Sequence, residues 1–439
     1  MLSQETNDLL TRVGPGTPCG EMMRRYWQPA ALVQELPVGG APVPIRLLGE
    51  DLVLFRADQG EPGLIGLHCS HRGADLSYGR VEDGGLRCIY HGWLYDRKGR
   101  CLEQPGEPSQ EGLASGWGGS SDDPLTAAGP ARFHEKIRHT AYPCVEAGGL
   151  ILTYMGPGKP PLVPAYPFLE ATDDRRFNSK VFHECNYLQA NEGNIDPMHT
   201  PFLHRVGDAT TSMPYLGTDI RAELEAEEID HGVRVYTAHH AGDRNYVRVT
   251  NLVLPDLCAF SGGSNDGYTV NWHVPIDDEH HWKYVIVFKS VESMDRGVVR
   301  RERNDVLPGY RLEQNKANRY LQNREEMRTE TFSGLGKGFQ AQDLCATEGE
   351  GFIQDRTQEH PGYTDQAVLL GRQVLMKAIQ AVQEGQDPPH VLRISPEVPT
   401  LIAAHTVLPA GVDWHRFWEH PANQESGLTG QPQPAEAPA

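Results

Sequence analysis

Residues 69–91 read CSHRGADLSYGRVEDGGLRCIYH. The stretch holds Cys69-x-His71, sixteen further residues, then Cys88-x-x-His91. Two thiols and two imidazoles in two close-set pairs form a metal-ligand pattern. The mixed set suits a [2Fe–2S] centre with Cys69 and Cys88 on one iron and His71 and His91 on the other. Imidazole in place of thiolate removes negative charge from such a cluster and raises its reduction potential. Two tight loops of this kind can pinch a cluster between them.

A structural zinc site is the plainer reading, since Cys2His2 also suits tetrahedral zinc. Zinc-finger spacing groups the two Cys and the two His separately. Here each loop carries one of each. Glycine follows each His within two residues, at Gly73 and Gly92, where the backbone can approach a cluster closely. The pattern therefore favours a Rieske-type centre.

Outward from this stretch, the texture from Pro42 to about Thr153 is short β-branched and apolar runs (PVPIRLLG, LVLFRA, LIGLHC, LRCIYHGWLYD, LILTYMG) broken by Gly, Asp and Pro. That predicts a small all-β domain, 42–158, interrupted by a polar surface loop at 105–131. Ahead of it, residues 1–41 form an N-terminal helical segment expected to pack on a later domain. Helical pattern covers 3–28 with a break at Gly14-Pro15-Gly16, and Thr17-Pro18 offers an N-cap followed by proline. A Pro-rich crossing, GPGKPPLVPAYP (156–167), leads to a second domain, 159–420. Its residues 217–291 alternate like antiparallel strands, and two long helices are expected at about 311–331 and 364–384. The tail 421–439 is poor in apolar residues and is expected to be disordered.

The chain has 439 residues and a net charge of −19, so it offers no basic footprint for nucleic acid or anionic membrane. MLSQETNDLL has neither a cationic nor an apolar signal region, and no apolar run approaches transmembrane length. The six further Cys show no disulfide-like spacing. A cytoplasmic setting, with no membrane and no nucleic-acid partner, is expected.

The second informative segment is NYLQANEGNIDPMHTPFLHR (186–205), with Asp196-x-x-His199-x-x-x-x-His204. Asp196 and His199 are three apart and would share a helix face. His199 and His204 do not, but Pro201 between them can bend the segment. Two His and a carboxylate suit the facial triad of a non-haem Fe(II) oxygenase, which leaves positions open for O2 and substrate. Close His pairs also arise by chance among 19 His. The upstream cluster strengthens the reading, because O2 activation at one iron needs electrons from elsewhere. No nucleotide-binding glycine fingerprint follows a strand, so NAD(P)H oxidation belongs to another protein.

With Cys69-x-His71…Cys88-x-x-His91, AYPCVEAGGLILTYMGP (141–157), NYLQANEGNIDPMH (186–199) and GFIQDRTQEH (351–360), the chain resembles the oxygenase α-subunits of Rieske non-haem iron aromatic-ring-hydroxylating oxygenases, phthalate dioxygenase branch, over roughly 8–385. The resemblance implies an α+β fold: an all-β Rieske [2Fe–2S] domain, plus a catalytic domain with a curved antiparallel sheet flanked by helices, helix-grip-like. It implies a mononuclear Fe(II) held by His199, His204 and a distant carboxylate, taken as Asp343, with Asp355 and Glu348 as rivals. Asp196 would then be a relay from His91 of a neighbouring subunit to His199, which implies a homotrimer or dimer of trimers. Partners would be O2, an NAD(P)H-dependent flavin/iron–sulfur reductase and an aromatic carboxylate. Arg205, beside His204, and Arg244 are the expected substrate-binding cations, ahead of Arg248. The expected reaction is phthalate-like cis-dihydroxylation, with O-demethylation of a methoxylated aromatic acid as the alternative. A Rieske electron carrier without oxygenase activity is the alternative of another class.

Overall fold

The computed structural model describes residues 1–57, 60–107, 133–207, 221–262, 266–302, 306–398 and 401–415. Most of the expected 105–131 loop and all of the expected tail lie outside them. The chain divides into two compact units, Tyr26–Pro160, and Met1–Arg25 with Pro161–Ala439.

The smaller unit is all-β. Its sheets are Trp27–Leu32 with Leu150–Tyr154 and Cys144–Ala147; Val43–Leu47, Glu50–Arg56, Pro62–Gly66 and Ala141–Tyr142; and Arg80–Glu82, Gly85–Arg87, Leu94–Tyr95 and Cys101–Glu103. A core of Val53, Phe55, Ile65, Leu76, Leu86, Trp93 and Tyr95 reaches up to Cys69 and Cys88.

The expected 1–41 segment is split between the two units. Gln4–Thr11 and Pro18–Met23 are helices of the larger unit, capped by Ser3 and by Thr17, with Pro18 in the first turn. Helix stops at Met23, short of the expected residue 28. WQPAAL (27–32) is buried along its whole length and pairs antiparallel with Leu150–Tyr154, so it becomes a strand of the smaller unit.

The larger unit is built on an eight-stranded antiparallel sheet. Its order is Arg176–His183, His281–Phe288, Tyr268–Pro275, Leu257–Phe260, Arg244–Val253, Gly232–Ala241, Glu223–Ile229, with His405–Pro409 pairing along the start of Arg244–Val253. YTVNWHVP (268–275) is buried at every position, the pattern of a strand covered on both faces. The helices Tyr187–Ile195 and Gln366–Gln383 pack against this sheet. Gly371 lets them meet: a Cβ there would lie 2.9 Å from Ile195 Cδ1 and 3.3 Å from Leu252 Cδ2.

Of the two long helices expected, 364–384 is present as Gln366–Gln383. The other is not. Lys316–Leu321 is a short 3-10 turn with positive φ at Arg319 and Tyr320, and Glu326–Thr329 is a single turn. Asn315 and Asn318 hydrogen-bond to local backbone there, which competes with regular helix. Sequence reading also passed over the helix Phe339–Gly349.

Two candidate metal centres

Each Cys–His loop of the smaller unit closes in the same way. Cys69 N–H donates to Ala74 O (2.8 Å) and Gly73 N–H to Cys69 O (2.8 Å). Cys88 N–H donates to Trp93 O (2.8 Å) and Gly92 N–H to Cys88 O (3.0 Å). Gly73 and Gly92 have φ of +73° and +77°, which only glycine adopts freely. The loops bring His71 and His91 to a ring-centroid distance of 4.4 Å, while both Cys are buried. Trp93 stacks on His71 at 4.6 Å with an interplanar angle of 9°, fixing that ring. His71 Nδ1 is buried without a hydrogen-bond partner. Burial pushes the Cys69 thiol up, and burial with the neighbouring His71 and Arg72 holds His91 down. Two buried sulfurs on the same two loops as two adjoining imidazoles, one with an orphaned nitrogen, fit a [2Fe–2S] cluster ligated by Cys69, Cys88, His71 and His91. Tyr95 OH lies 3.2 Å from Cys69 Sγ.

The second centre is in the larger unit. Asn186 caps the helix Tyr187–Ile195, accepting from Leu188 N–H. The helix ends at Asp196, whose backbone is extended (φ −87°, ψ 109°), as a residue before proline prefers. Pro197, not Pro201, is thus the breaker, and Asp196 and His199 do not share a helix face. His199 and His204 flank the single turn Thr200–Leu203. Their Nε2 atoms lie 3.1 Å apart. Asp343, on Phe339–Gly349, puts Oδ1 3.1 Å from His204 Nε2 and 3.9 Å from His199 Nε2. Three ligand atoms so close suit one metal ion. The rival carboxylates are engaged elsewhere: Glu348 accepts from Glu184 N–H and Tyr320 OH, and Asp355 from Thr357. Arg356, next to Asp355 in sequence, pairs with Glu192 at 2.7 Å.

The surroundings orient these ligands. Gln342 is fully buried, and its Nε2 donates to Gly336 O (2.6 Å). Its Oε1 therefore faces His204 Nδ1 at 2.6 Å and must accept from it. That places the His204 proton on Nδ1 and leaves the Nε2 lone pair facing Asp343. Asp196 Oδ2 is 3.5 Å from His199 Nδ1, and its Oδ1 accepts from Met198 N–H. Burial opposes charge on both His199 and Asp343. For His199, Asp196 and Asp343 outweigh it and raise the pKa. For Asp343, His204, Lys283 and His199 outweigh it and hold the carboxyl well below its usual range. Asp343 is thus ionised and ready as a ligand. The oxygen-and-imidazole donor set fits Fe(II).

A cavity of about 100 Å³ opens on this triad, lined among others by Thr250, Phe260, Asn271, Phe339, Arg248 and Lys283. The expected cations Arg205 and Arg244 are both exposed and outside its lining. Arg248 takes that place. Its Nη2 donates to Ser261 O (3.3 Å), its guanidinium lies over Phe260 at 5.5 Å, and its Nε is buried without a partner. Alternation does put Arg244 and Arg248 on one face, but Arg244 sits at the hairpin end of its strand, opposite Ala241, where the sheet meets solvent.

Comparison with known proteins adds the family. Residues 26–115 match the Rieske [2Fe–2S] domain and residues 153–435 the family described as LigXa C-terminal domain like. The chain is 35% identical over 412 residues to the phthalate 4,5-dioxygenase oxygenase subunit of Pseudomonas putida, covering 88% of each. It is 33% identical over 399 residues to the 5,5'-dehydrodivanillate O-demethylase oxygenase subunit of Sphingobium sp. (strain NBRC 103272 / SYK-6), covering 90% of this chain and 84% of that one. In fold it is similar to the oxygenase in the reduced oxygenase–ferredoxin complex of carbazole 1,9a-dioxygenase, with a TM-score of 0.53, 18% identity, and coverage of 89% of this chain and 99% of that one.

A Rieske cluster domain joined to an iron-ligating domain makes an oxygen-activating oxidoreductase. The chain belongs to the Rieske non-haem iron oxygenases, as an oxygenase subunit of the phthalate dioxygenase-like branch. Its cofactors are a [2Fe–2S] cluster and a mononuclear iron, and the electron-carrier alternative falls away. Among the described residues no helix is long and apolar enough to cross a membrane.

Proposed function

We propose that this terminal oxygenase hydroxylates an aromatic carboxylate whose anionic group is held by Arg248. The observation that carries the reading is the buried, unpartnered Arg248 Nε in the cavity that also exposes His199, His204 and Asp343. A guanidinium N–H in a dry wall binds carboxylate strongly, because the bond is charge-assisted and the donor is otherwise unsatisfied. Phe260 and Phe339 supply apolar faces for a ring. The phthalate relative supports cis-dihydroxylation, and the dehydrodivanillate relative supports O-demethylation as a second reading.

Bound at the triad, iron supplies O2 activation, with electrons arriving one at a time from a cluster. The residues do the rest. Gln342 keeps the His204 proton on Nδ1. Lys283, 3.9 Å from Asp343 Oδ2, balances the carboxylate charge. Asp196, beside His199 and partly exposed, is suited to link His199 to His91 of a neighbouring copy, which is the basis for reading the assembly as a trimer or a multiple of one. Electrons would come from an NAD(P)H-dependent reductase, directly or through a ferredoxin as in the carbazole system.

Product analysis tests the reading. The holoenzyme, a surrogate reductase and NADH are supplied with phthalates and with methoxybenzoates. A cis-dihydrodiol identifies dihydroxylation, and a phenol with formaldehyde identifies O-demethylation. Turnover of neutral arenes in preference to both acids would overturn the carboxylate reading.

A further inference from the structure

A chain of buried hydrogen bonds fixes the polarity of one cavity wall. It starts at Cys185 O, which can only accept, so His281 Nδ1 donates to it (2.8 Å). His281 Nε2 must then accept, and does so from His273 Nδ1 (3.2 Å). Burial holds His281 down to about 3 and His273 well below its usual value, so both rings are neutral and each has one proton to place. His273 Nε2 is thereby an acceptor, facing Asn194 Nδ2 at 3.1 Å. The same Nδ2 donates to Ala190 O at 2.7 Å. Both contacts require the nitrogen of Asn194, so its Oδ1 faces the other way. There it accepts from Asn271 Nδ2 at 2.5 Å.

Asn271 is thus oriented with its nitrogen on Asn194 and its oxygen turned away from it. Asn271 lines the cavity on the triad, is only 4% exposed, and its Oδ1 has no partner. A buried acceptor left unmet is costly, so a ligand that donates to it gains selectivity over one that cannot. Arg248 offers the opposite need, a buried donor. The two lie two strands apart in the sheet: Leu252 pairs with Cys258 and Cys258 with Asn271, and Arg248 is four residues from Leu252. At about 4.8 Å per strand and 3.3 Å per residue their Cα atoms are roughly 16 Å apart.

We infer that the substrate is an aromatic carboxylate that also carries a hydrogen-bond donor, a free hydroxyl or amino group, on the ring remote from the carboxylate, and that Asn271 selects for it. The inference rests on Arg248 receiving the carboxylate. The wall accepts a hydroxyl and refuses its methyl ether at the same position, because the ether brings no proton and leaves Asn271 Oδ1 unmet. Where the reaction is O-demethylation, the hydroxyl at Asn271 is a second substituent, distinct from the reacting ether.

The test is anaerobic calorimetric titration of the holoenzyme with 3- and 4-hydroxybenzoate, the matching aminobenzoates and the matching methoxybenzoates. The wild type should bind at least one donor-bearing acid about tenfold or more tighter than its methyl ether. Asn271→Leu should erase that ratio while still binding both acids. Asn194→Ala, which leaves Asn271 in place but frees its amide to turn, should narrow the ratio. Acids that bind wild type with no preference, or a preference that survives Asn271→Leu, overturn the inference and leave the carboxylate reading standing. Failure of every benzoate to bind overturns the carboxylate reading and the inference with it.

Discussion

Replacing Gln342 by leucine should loosen the mononuclear iron without touching the cluster. Gln342 Oε1 sits 2.6 Å behind His204 Nδ1, and its amide cannot turn because Nε2 is bonded to Gly336 O. Leucine fills similar space but accepts nothing. The His204 proton is then free to move to Nε2, where Asp343 Oδ1 waits at 3.1 Å. Metal-free protein gains a His204–Asp343 hydrogen bond that iron must break, and iron loses a correctly oriented lone pair. Loss of such an outer partner weakens metal binding about 10- to 100-fold, or about 1.4–2.7 kcal/mol. The assay is iron release to a chelator of graded strength, with the visible absorption of the cluster in the same sample as the internal standard. Gln342→Glu restores an acceptor and should recover most of the affinity. If Gln342→Leu holds iron as tightly as wild type, the proton assignment on His204 is wrong.

Three further outcomes are expected. Arg248→Leu should raise KM for an aromatic carboxylate about 10- to 150-fold, the worth of a charge-assisted hydrogen bond, while cluster reduction by the reductase is unchanged; an unaltered KM places the carboxylate elsewhere. Asp196→Asn should retain both metals by elemental analysis yet lower product formed per NADH oxidised about 10- to 100-fold, and normal coupling would remove Asp196 from the electron route. The larger unit should lose stability in mild acid. Burial first, then neighbouring charges, hold His183, His273 and His281 below their usual pKa. Unfolded rings take up protons below about pH 6.5 while the folded rings stay neutral, so stability present at pH 7 falls by about 2 kcal/mol per ring by pH 5. A urea midpoint that does not move over that range would show that these rings are not buried neutral.

The parts legible in the sequence were those whose signal is local. Each Cys–His pair lies within one tight loop, so spacing carries the chemistry. His199 and His204 likewise flank a single turn. The runs VRVYTAHHA and YTVNWHVPI both pair antiparallel with neighbouring strands, and the second is buried on both faces. The helix Phe339–Gly349 has no clear apolar stripe for a functional reason: its buried positions mix Gln340, Gln342, Thr347 and Glu348 with Ala341 and Leu344. Asp343 had to be taken from resemblance, since nothing near it in sequence tells which carboxylate folds back onto His204. Arg248 shows another limit. A period of two assigns a face of a strand, but how far along the strand the cavity lies depends on register with distant neighbours.

The division of the chain also bears on how the protein is made. The Rieske unit, 26–160, is threaded between Met1–Arg25 and Pro161 onward. The helix Pro18–Met23 packs on Gln366–Gln383, which is synthesised more than 300 residues later. At about 5–20 residues per second, the first helices wait roughly 20–70 s for their partner to leave the ribosome. During that interval the inserted unit has all its own strands and can acquire its cluster first. Slowing translation between residues 160 and 366 should therefore lengthen the life of a nascent chain that is already iron–sulfur-loaded but has no closed oxygenase core.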